Sequence, residues 1–205
     1  MSQGLYILRQ VRNFLPQKEL INLYYSLINC HLFYALPAYG CAEVSSLNKL
    51  TLLQKKAIRL VTNSRYNSHT DPLFKTTNVM KFDDMVQFVK IDFMHSYCHK
   101  YLPASFDNVW TQNCEIDADF NLNLRNYLHF RVPFTRLHFS DRLPLHSFPK
   151  LYNSLETEML VENCKKKFKS KLKALFMDKL PETVRCSNPF CNDCYSNNEL
   201  VDLQL

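Results

Sequence analysis

Hydrophobic residues recur every three or four positions along much of the chain, which predicts a mainly α-helical fold. The first such stretch predicts a helix from Gly4 to about Leu15. A second helix is expected from about Gln17 to Tyr34, because Pro16 suits the start of a helix and Pro37 lies beyond its end.

A third helix is predicted after Ser45 or Ser46, either of which is a suitable N-cap. Its apolar stripe consists of Leu47, Leu50, Leu53, Ala57, Leu60 and Val61. Basic side chains lie mostly off that stripe, at Lys49, Lys55, Lys56 and Arg59, and no acidic residue occurs between Ser45 and Ser68. This pattern is typical of a solvated helix face or of a surface that contacts nucleic-acid phosphates.

The stretch KFDDMVQFVK contains an aromatic residue followed by two aspartates, as in polymerases that hold two Mg²⁺ ions. Apolar residues with helical spacing continue from Phe82 to Tyr101. Asp83 and Asp84 then fall at an N-cap or in a first turn, where the helix dipole favours negative charge. We therefore interpret the pair as a helix start and not as a metal site.

The periodicity is lost between Phe106 and Leu155, a segment that contains Pro133, Pro144 and Pro149. We expect this segment either to be loop-rich, with a few short strands, and to pack on the helices, or to be a linker between two helical parts.

A last amphipathic helix is predicted from about Glu156 to Leu180. One side of it is densely basic, and Lys165, Lys166 and Lys169 are candidate phosphate contacts. An ordinary bundle helix with a solvated face is the alternative interpretation.

The C-terminal tail has Cys186, Cys191 and Cys194 in Cys-x4-Cys-x2-Cys spacing. Three thiolates could bind zinc, but a fourth ligand is absent locally and would have to come from Cys164 or a distant histidine. Reduced thiols are the favoured interpretation, and no other cofactor is expected.

Composition narrows the classes of function. The chain has 205 residues, 46% of them hydrophobic, and only two glycines. Phosphate-binding loops, dinucleotide-binding turns and nucleophile elbows all depend on glycine, so these enzyme classes are not expected. The formal net charge of +6 favours a polyanionic partner.

Two features bear on location. The N-terminal apolar run contains Arg9 and Arg12 and lacks the pattern of a signal peptide, so we expect an intracellular protein of the cytoplasm or nucleus that is not secreted. The stretch from Leu20 to Ala42 has no charged residue, but its asparagines, His31 and Pro37 favour a buried helix over a membrane span.

No convincing catalytic constellation is found. His95 and His99 are one helical turn apart, which can bind metal, but no third ligand is placed beside them in sequence. We interpret them as a pair on a helix surface. Cys98 is adjacent to His99, and neighbours on a helix point apart, so they predict no nucleophile pair.

Three stretches carry a family resemblance: LYYSLINCHLFYALPAYG, LQKKAIRLVTNSRYNSHTDPLF and FPKLYNSL. In order and spacing they resemble the C-terminal, post-palm region of reverse transcriptases from non-LTR, LINE-type retrotransposons of the jockey-like kind. The similarity extends from about Leu5 to Leu180.

The resemblance implies a fragment of an RNA-directed DNA polymerase that lacks the catalytic palm and is not an enzyme alone. It implies a thumb-like helical domain at 1–105. The residue pattern adds a loop-rich segment at 106–155, a basic helix at 156–180 and a cysteine-containing tail at 181–205. The implied partners are RNA or an RNA/DNA duplex, bound through phosphates, and the palm of the parent protein. The alternative hypothesis is a helical relic with a structural or protein-interaction role.

Overall fold

The computed structural model describes residues 2–115, 126–137 and 139–179. These residues form a mainly α-helical protein, as the sequence predicts. No helix in this part of the chain is both long and apolar enough to cross a membrane. The tail cysteines Cys186, Cys191 and Cys194 lie outside the described residues.

The first half of the chain is almost continuously helical. Its elements are α1 (Ser2–Val11), α2 (Gln17–Tyr24), a π-helical turn (Tyr25–Asn29), α3 (Cys30–Phe33), α4 (Leu36–Tyr39), α5 (Val44–Val61), α6 (Asp71–Thr76) and α7 (Phe82–Cys98). The predicted second helix is therefore one helical run with a π turn inside it. Asp83 and Asp84 lie in the first turn of α7, which confirms their interpretation as a helix start.

The second half contains shorter elements. They are two 3₁₀ turns (Ala104–Phe106 and Ser140–Arg142), α8 (Pro144–Asn153), α9 (Thr157–Leu160) and α10 (Lys165–Asp178). One boundary in the first half differs from the expected one. Helix α5 begins at Val44, so Ser45 and Ser46 lie inside its first turn and neither is the N-cap.

The described residues fall into two compact units, each assembled from separated stretches of chain. The first comprises residues 2–34, 45–82 and 176–179, and the second comprises residues 35–44 and 83–175 with the gaps given above.

The core of the first unit is built on apolar faces of the early helices. Leu8, Tyr24, Ile28, Ala57 and Ile58 are all fully buried in the structure. A Cβ atom added at Gly4 of α1 would lie only 3.0 Å from the Leu27 carbonyl oxygen in the π turn. Glycine at this position therefore lets α1 approach the π turn closely.

Gln54 is the polar centre of this unit, with no exposed surface. Its Nε2 donates to the Tyr24 hydroxyl at 3.0 Å and to the Met80 carbonyl at 2.9 Å. Its Oε1 accepts from the Phe82 backbone N–H at 2.7 Å. Both polar atoms of the Gln54 side chain therefore have hydrogen-bond partners, and these bonds join α2 and α5 to the segment that leads into α7.

Three helices end in the same way. After α5, α6 and α7, the residues Asn63, Asn78 and Lys100 have left-handed backbones, with φ of 51°, 52° and 54°. Paired hydrogen bonds follow the Schellman pattern in each case, as in Ser64 N to Arg59 O and Asn63 N to Leu60 O. Asparagine and lysine occupy the positions where glycine is usual, in a chain that contains only two glycines.

Aromatic rings organise the core of the second unit. Phe93 makes edge contacts with Phe106, Trp110 and Phe148, at centroid distances of 5.4, 6.2 and 5.5 Å. The Tyr97 hydroxyl donates to the Trp110 carbonyl at 2.7 Å. These contacts hold the loop around Trp110 on α7 and α8.

The short strands expected in the segment 106–155 are absent from its described residues, which show an isolated bridge between Gln112 and Phe130. A side chain takes the place of a second strand. Asn153 accepts from the Phe130 N–H at 2.9 Å and donates to the Phe130 carbonyl at 2.8 Å. The side-chain amide of Asn153, in α8, thereby makes the two hydrogen bonds that a neighbouring strand would otherwise provide to the backbone of Phe130.

The predicted helix from Glu156 to Leu180 is interrupted, since residues 161–164 separate α9 from α10. The interruption coincides with a tertiary hydrogen bond in which His95 Nε2 lies 2.8 Å from the Glu162 carbonyl oxygen.

The expectation of a surface histidine pair is wrong for His95. This residue has no exposed surface, because its ring stacks on Phe168 of α10 at a centroid distance of 3.9 Å. The spacing of apolar residues identifies one buried face of a helix. Helix α7 is buried on more than one side, so it also buries the polar ring of His95.

Candidate nucleic-acid interface

Four basic side chains from the first unit line one groove. Arg9 and Arg12 come from α1 and the residue that follows it, while Lys56 and Arg59 come from α5. The groove has a volume of about 360 Å³. It combines residues that are more than 40 positions apart in the chain.

Helical spacing explains why these residues meet in pairs. Arg9 and Arg12 are three residues apart and so are Lys56 and Arg59, which puts each pair on one side of its helix. Arg9 and Lys56 are exposed, whereas Arg12 and Arg59 are half-buried. Each pair therefore presents one cation at the surface with a second, partly shielded cation beside it.

The loop after α5 completes the groove with Ser64 and Tyr66. Arg59 donates from Nε to the Ser68 carbonyl at 2.9 Å, so one guanidinium hydrogen holds the loop. A guanidinium has five N–H donors, and four remain for other partners. Arg59 can thus hold the loop and contact a ligand at the same time.

The groove is electropositive. No carboxylate is found among its lining residues, and within the described part of the chain no ion pair is seen for Arg9, Arg12 or Lys56. Such a site favours a ligand with several negative charges in a row, and guanidinium groups bind phosphate oxygens in pairs.

The groove includes two of the four basic residues predicted on this helix. Lys49 is exposed and lies two turns before Lys56 on the same side of α5. Lys55 is half-buried and lies one turn before Arg59 on α5, but it is not among the residues that line the groove. Lys49 and Lys55 can therefore extend the basic track only at the edge of the groove.

The predicted cluster on α10 is more engaged with the protein itself. Lys169 forms an ion pair with Asp92 at 3.1 Å, and the Lys165 ammonium lies 5.4 Å from the centre of the Tyr101 ring. Lys166 is exposed. This face offers fewer free cations than its sequence suggests.

The described residues show no grouping of three or more histidine, cysteine or acidic side chains that could hold a metal ion. Burial raises the pKa of the Cys98 thiol to about 11, which disfavours the thiolate needed for nucleophilic chemistry. The proposed zinc ligands in the tail lie outside the described residues and stay a prediction.

Sequence reasoning missed Arg9, Arg12 and Tyr66 as members of the site. The two arginines interrupt an apolar run at i, i+3 spacing, which is a signal for a basic edge on a helix. Nothing in the sequence indicates that this edge meets α5. That information comes only from the packing.

Two residues inside the motifs that carry the family resemblance have structural roles. Gln54 forms the buried hydrogen-bond centre of the first unit, and Asn153 pairs with Phe130 in the second. Lys56 and Arg59 lie in the same motif as Gln54 and line the groove. One short stretch therefore supplies both the core and the basic surface.

Comparisons with known proteins give one partial similarity. The chain is similar to the RNA-directed DNA polymerase from mobile element jockey of Drosophila melanogaster, with 32% identity over 74 residues, which cover 36% of this chain and 8% of that protein. No family model matches the chain, and neither does any solved structure. The similarity supports a relation to the reverse transcriptases of non-LTR retrotransposons.

Proposed function

We propose that this chain is a fragment of a mobile-element RNA-directed DNA polymerase that binds the backbone of RNA or of an RNA/DNA duplex. The observation that carries the proposal is the groove in which Arg9, Arg12, Lys56 and Arg59 converge without a carboxylate. The partial similarity to the polymerase from jockey supports the parent protein.

The groove would bind nucleic acid mainly through phosphates. Each neutralised phosphate releases condensed counterions, so affinity falls steeply with salt. Phosphate contacts position a protein on nucleic acid without reading its sequence. Lys49 and Lys55 would add contacts at the edge of the groove, and Lys165, Lys166 and Lys169 would form a second and weaker surface.

The fragment would not catalyse phosphoryl transfer by itself. That chemistry requires metal ions held by carboxylates, and in the resembled proteins these belong to the palm, upstream of the region similar to this chain. Asp83 and Asp84 do not replace them, since both are first-turn residues of α7. In the parent protein the palm would be a partner of this helical region, and the location would be intracellular.

The salt dependence of binding tests the proposal. We expect the combined variant Arg9→Gln, Arg12→Gln and Lys56→Gln to lower the slope of log K against log salt by about 2 to 3 for an RNA/DNA hybrid. Arg59 is left unchanged because it holds the loop through Ser68. Fluorescence anisotropy over a salt series measures the slope.

A charge-matched control separates local contacts from net charge. The variant Lys18→Gln, Lys150→Gln and Lys173→Gln removes the same three charges from exposed positions outside the groove. We expect its slope to stay within one unit of the wild-type slope. Equal slopes for all three proteins would contradict a phosphate-binding role of the groove.

A second candidate function, protein–protein contact by a helical relic, is favoured by exposed aromatic residues in the first unit. Phe14 is 85% exposed and Tyr34 is 81% exposed. Apolar surface of this kind promotes association. Sedimentation velocity of the wild type and of a Phe14→Ser, Tyr34→Ser variant tests it, and a monomeric wild type at all concentrations would argue against it.

A further inference from the structure

The groove has an aromatic edge that phosphate binding does not use. Tyr66 lines it and is nevertheless 78% exposed, so most of its ring faces solvent. We propose that the groove binds one unpaired nucleotide of a single-stranded RNA or DNA segment. The base stacks on Tyr66, and the flanking phosphates contact Arg9, Arg12 and Lys56.

The backbone that carries Tyr66 is held in place at both sides. On one side, Ser64 N donates to Arg59 O at 2.9 Å and the hydroxyls of Thr62 and Ser64 are 2.8 Å apart. On the other side, Ser68 O accepts from the Arg59 guanidinium at 2.9 Å. An exposed ring on an anchored backbone is pre-organised, so binding orders little of the protein.

The size and lining of the groove fit one nucleotide. Its volume of about 360 Å³ is at the small end of the range for ligand pockets. Leu5 and Leu60 supply apolar surface beside the cations. A nucleotide has the same two parts, a flat base and an anionic phosphate.

Stacking distinguishes this ligand from a duplex. Inside a double helix both faces of each base are covered by neighbouring bases, so an aromatic side chain reaches only an unpaired or terminal base. Proteins that bind single strands without sequence preference combine a basic groove with aromatic side chains in this way. The chemistry in the groove of this chain matches that combination.

The inference rests on the proposed function, because the same cations hold the phosphates in both. The test compares three ligands of equal length: a single-stranded RNA, an abasic strand with the same number of phosphates, and the RNA/DNA hybrid. Binding is measured for the wild type, Tyr66→Ala and Tyr66→Phe. Tyr66 is exposed, so its replacement leaves the core intact.

We expect Tyr66→Ala to weaken binding of the single-stranded RNA by roughly 10-fold or more, as loss of one stacked base does in other single-strand sites. Tyr66→Phe should retain the wild-type affinity, since the ring is kept. Tyr66→Ala should leave binding of the abasic strand and of the hybrid unchanged.

The outcomes separate the two ideas. If the wild type binds none of the three ligands, the proposed function fails and the inference fails with it. If all three bind and Tyr66→Ala binds each as the wild type does, backbone binding stands and the unpaired-nucleotide site is overturned. Equal weakening for the abasic strand would also overturn it, because the effect would then be independent of a base.

Discussion

Lys100 has a left-handed backbone, with φ of 54°, two positions after the last helical residue of α7. A side chain with a Cβ atom is strained by about 1 kcal/mol or more in this conformation, whereas glycine is not. The hydrogen bond from Tyr101 N to Ser96 O closes the end of α7 around it at 2.9 Å. Lys100 thus retains a backbone cost that a single substitution can relieve.

We expect Lys100→Gly to raise the free energy of unfolding by about 0.5 to 1 kcal/mol, after allowing for the greater freedom of glycine in the unfolded chain. Urea denaturation measures the change. Lys173→Gly is the matched control, since Lys173 is exposed inside α10 and should lose about the same amount. Destabilisation by both substitutions would refute the argument from backbone conformation.

At the scale of elements, α7 and α10 meet around a buried histidine. His95 Nε2 contacts the Glu162 carbonyl at 2.8 Å, so its hydrogen is on Nε2. Its Nδ1 is buried and has no hydrogen-bond partner among the residues that the structure describes. Burial lowers the pKa of His95, and the neighbouring His99 lowers it further. The Glu162 carbonyl and Asp92 raise the pKa of His95, whereas the positive charge of Lys165 lowers it.

This environment predicts a loss of stability in acid. The pKa of His95 is lower in the folded than in the unfolded state, where histidine titrates near 6.5, so the unfolded chain takes up the proton first as pH falls. The stabilising contribution is present above about pH 6.5 and is lost as pH falls through the folded pKa.

The variant His95→Phe keeps a ring against Phe168 but cannot titrate. We expect its free energy of unfolding to change less between pH 7.5 and pH 5 than that of the wild type, as measured by urea denaturation across the series. His31→Phe is the control for losing an imidazole from the surface. If the wild type and His95→Phe lose stability in parallel, His95 is not the group responsible.

The same elements indicate how far local pattern predicts structure. Helices α5 and α7 follow from apolar spacing alone, because their periodic stretches are long. The spacing predicts the buried face of α5 only in part, since Gln54 and Ile58 lie outside the expected stripe and are fully buried. The break before α10 cannot be predicted from apolar spacing, because the Glu162 carbonyl is hydrogen-bonded to His95, a residue 67 positions away. A tertiary hydrogen bond overrides the helical preference of the segment there.

On the scale of the whole molecule, the candidate site was predictable only in part. Lys56 and Arg59 are evident as a basic edge on a helix, but Arg9 and Arg12 join them through packing, and Tyr66 is positioned by hydrogen bonds within its loop. Periodicity predicts which way a side chain points from its own helix. It does not predict which other helix lies opposite.

The described residues include two basic surfaces, the groove and the α10 face. Variants that lose the same number of charges from each surface can show which one binds nucleic acid. The variant Lys165→Gln, Lys166→Gln and Lys169→Gln removes three charges from the net +6, the same number as the groove variant. Long-range attraction to a polyanion therefore weakens equally in both proteins.

Local contacts should differ. Lys169 is paired with Asp92 at 3.1 Å and Lys165 lies over the Tyr101 ring, so both are already committed within the protein. We expect the α10 variant to lower the salt slope for an RNA/DNA hybrid by less than about one unit, against 2 to 3 for the groove variant. A larger loss of slope in the α10 variant than in the groove variant would place the main phosphate contacts on α10. Lys169 would then gain more free energy from binding a phosphate than it loses by leaving Asp92.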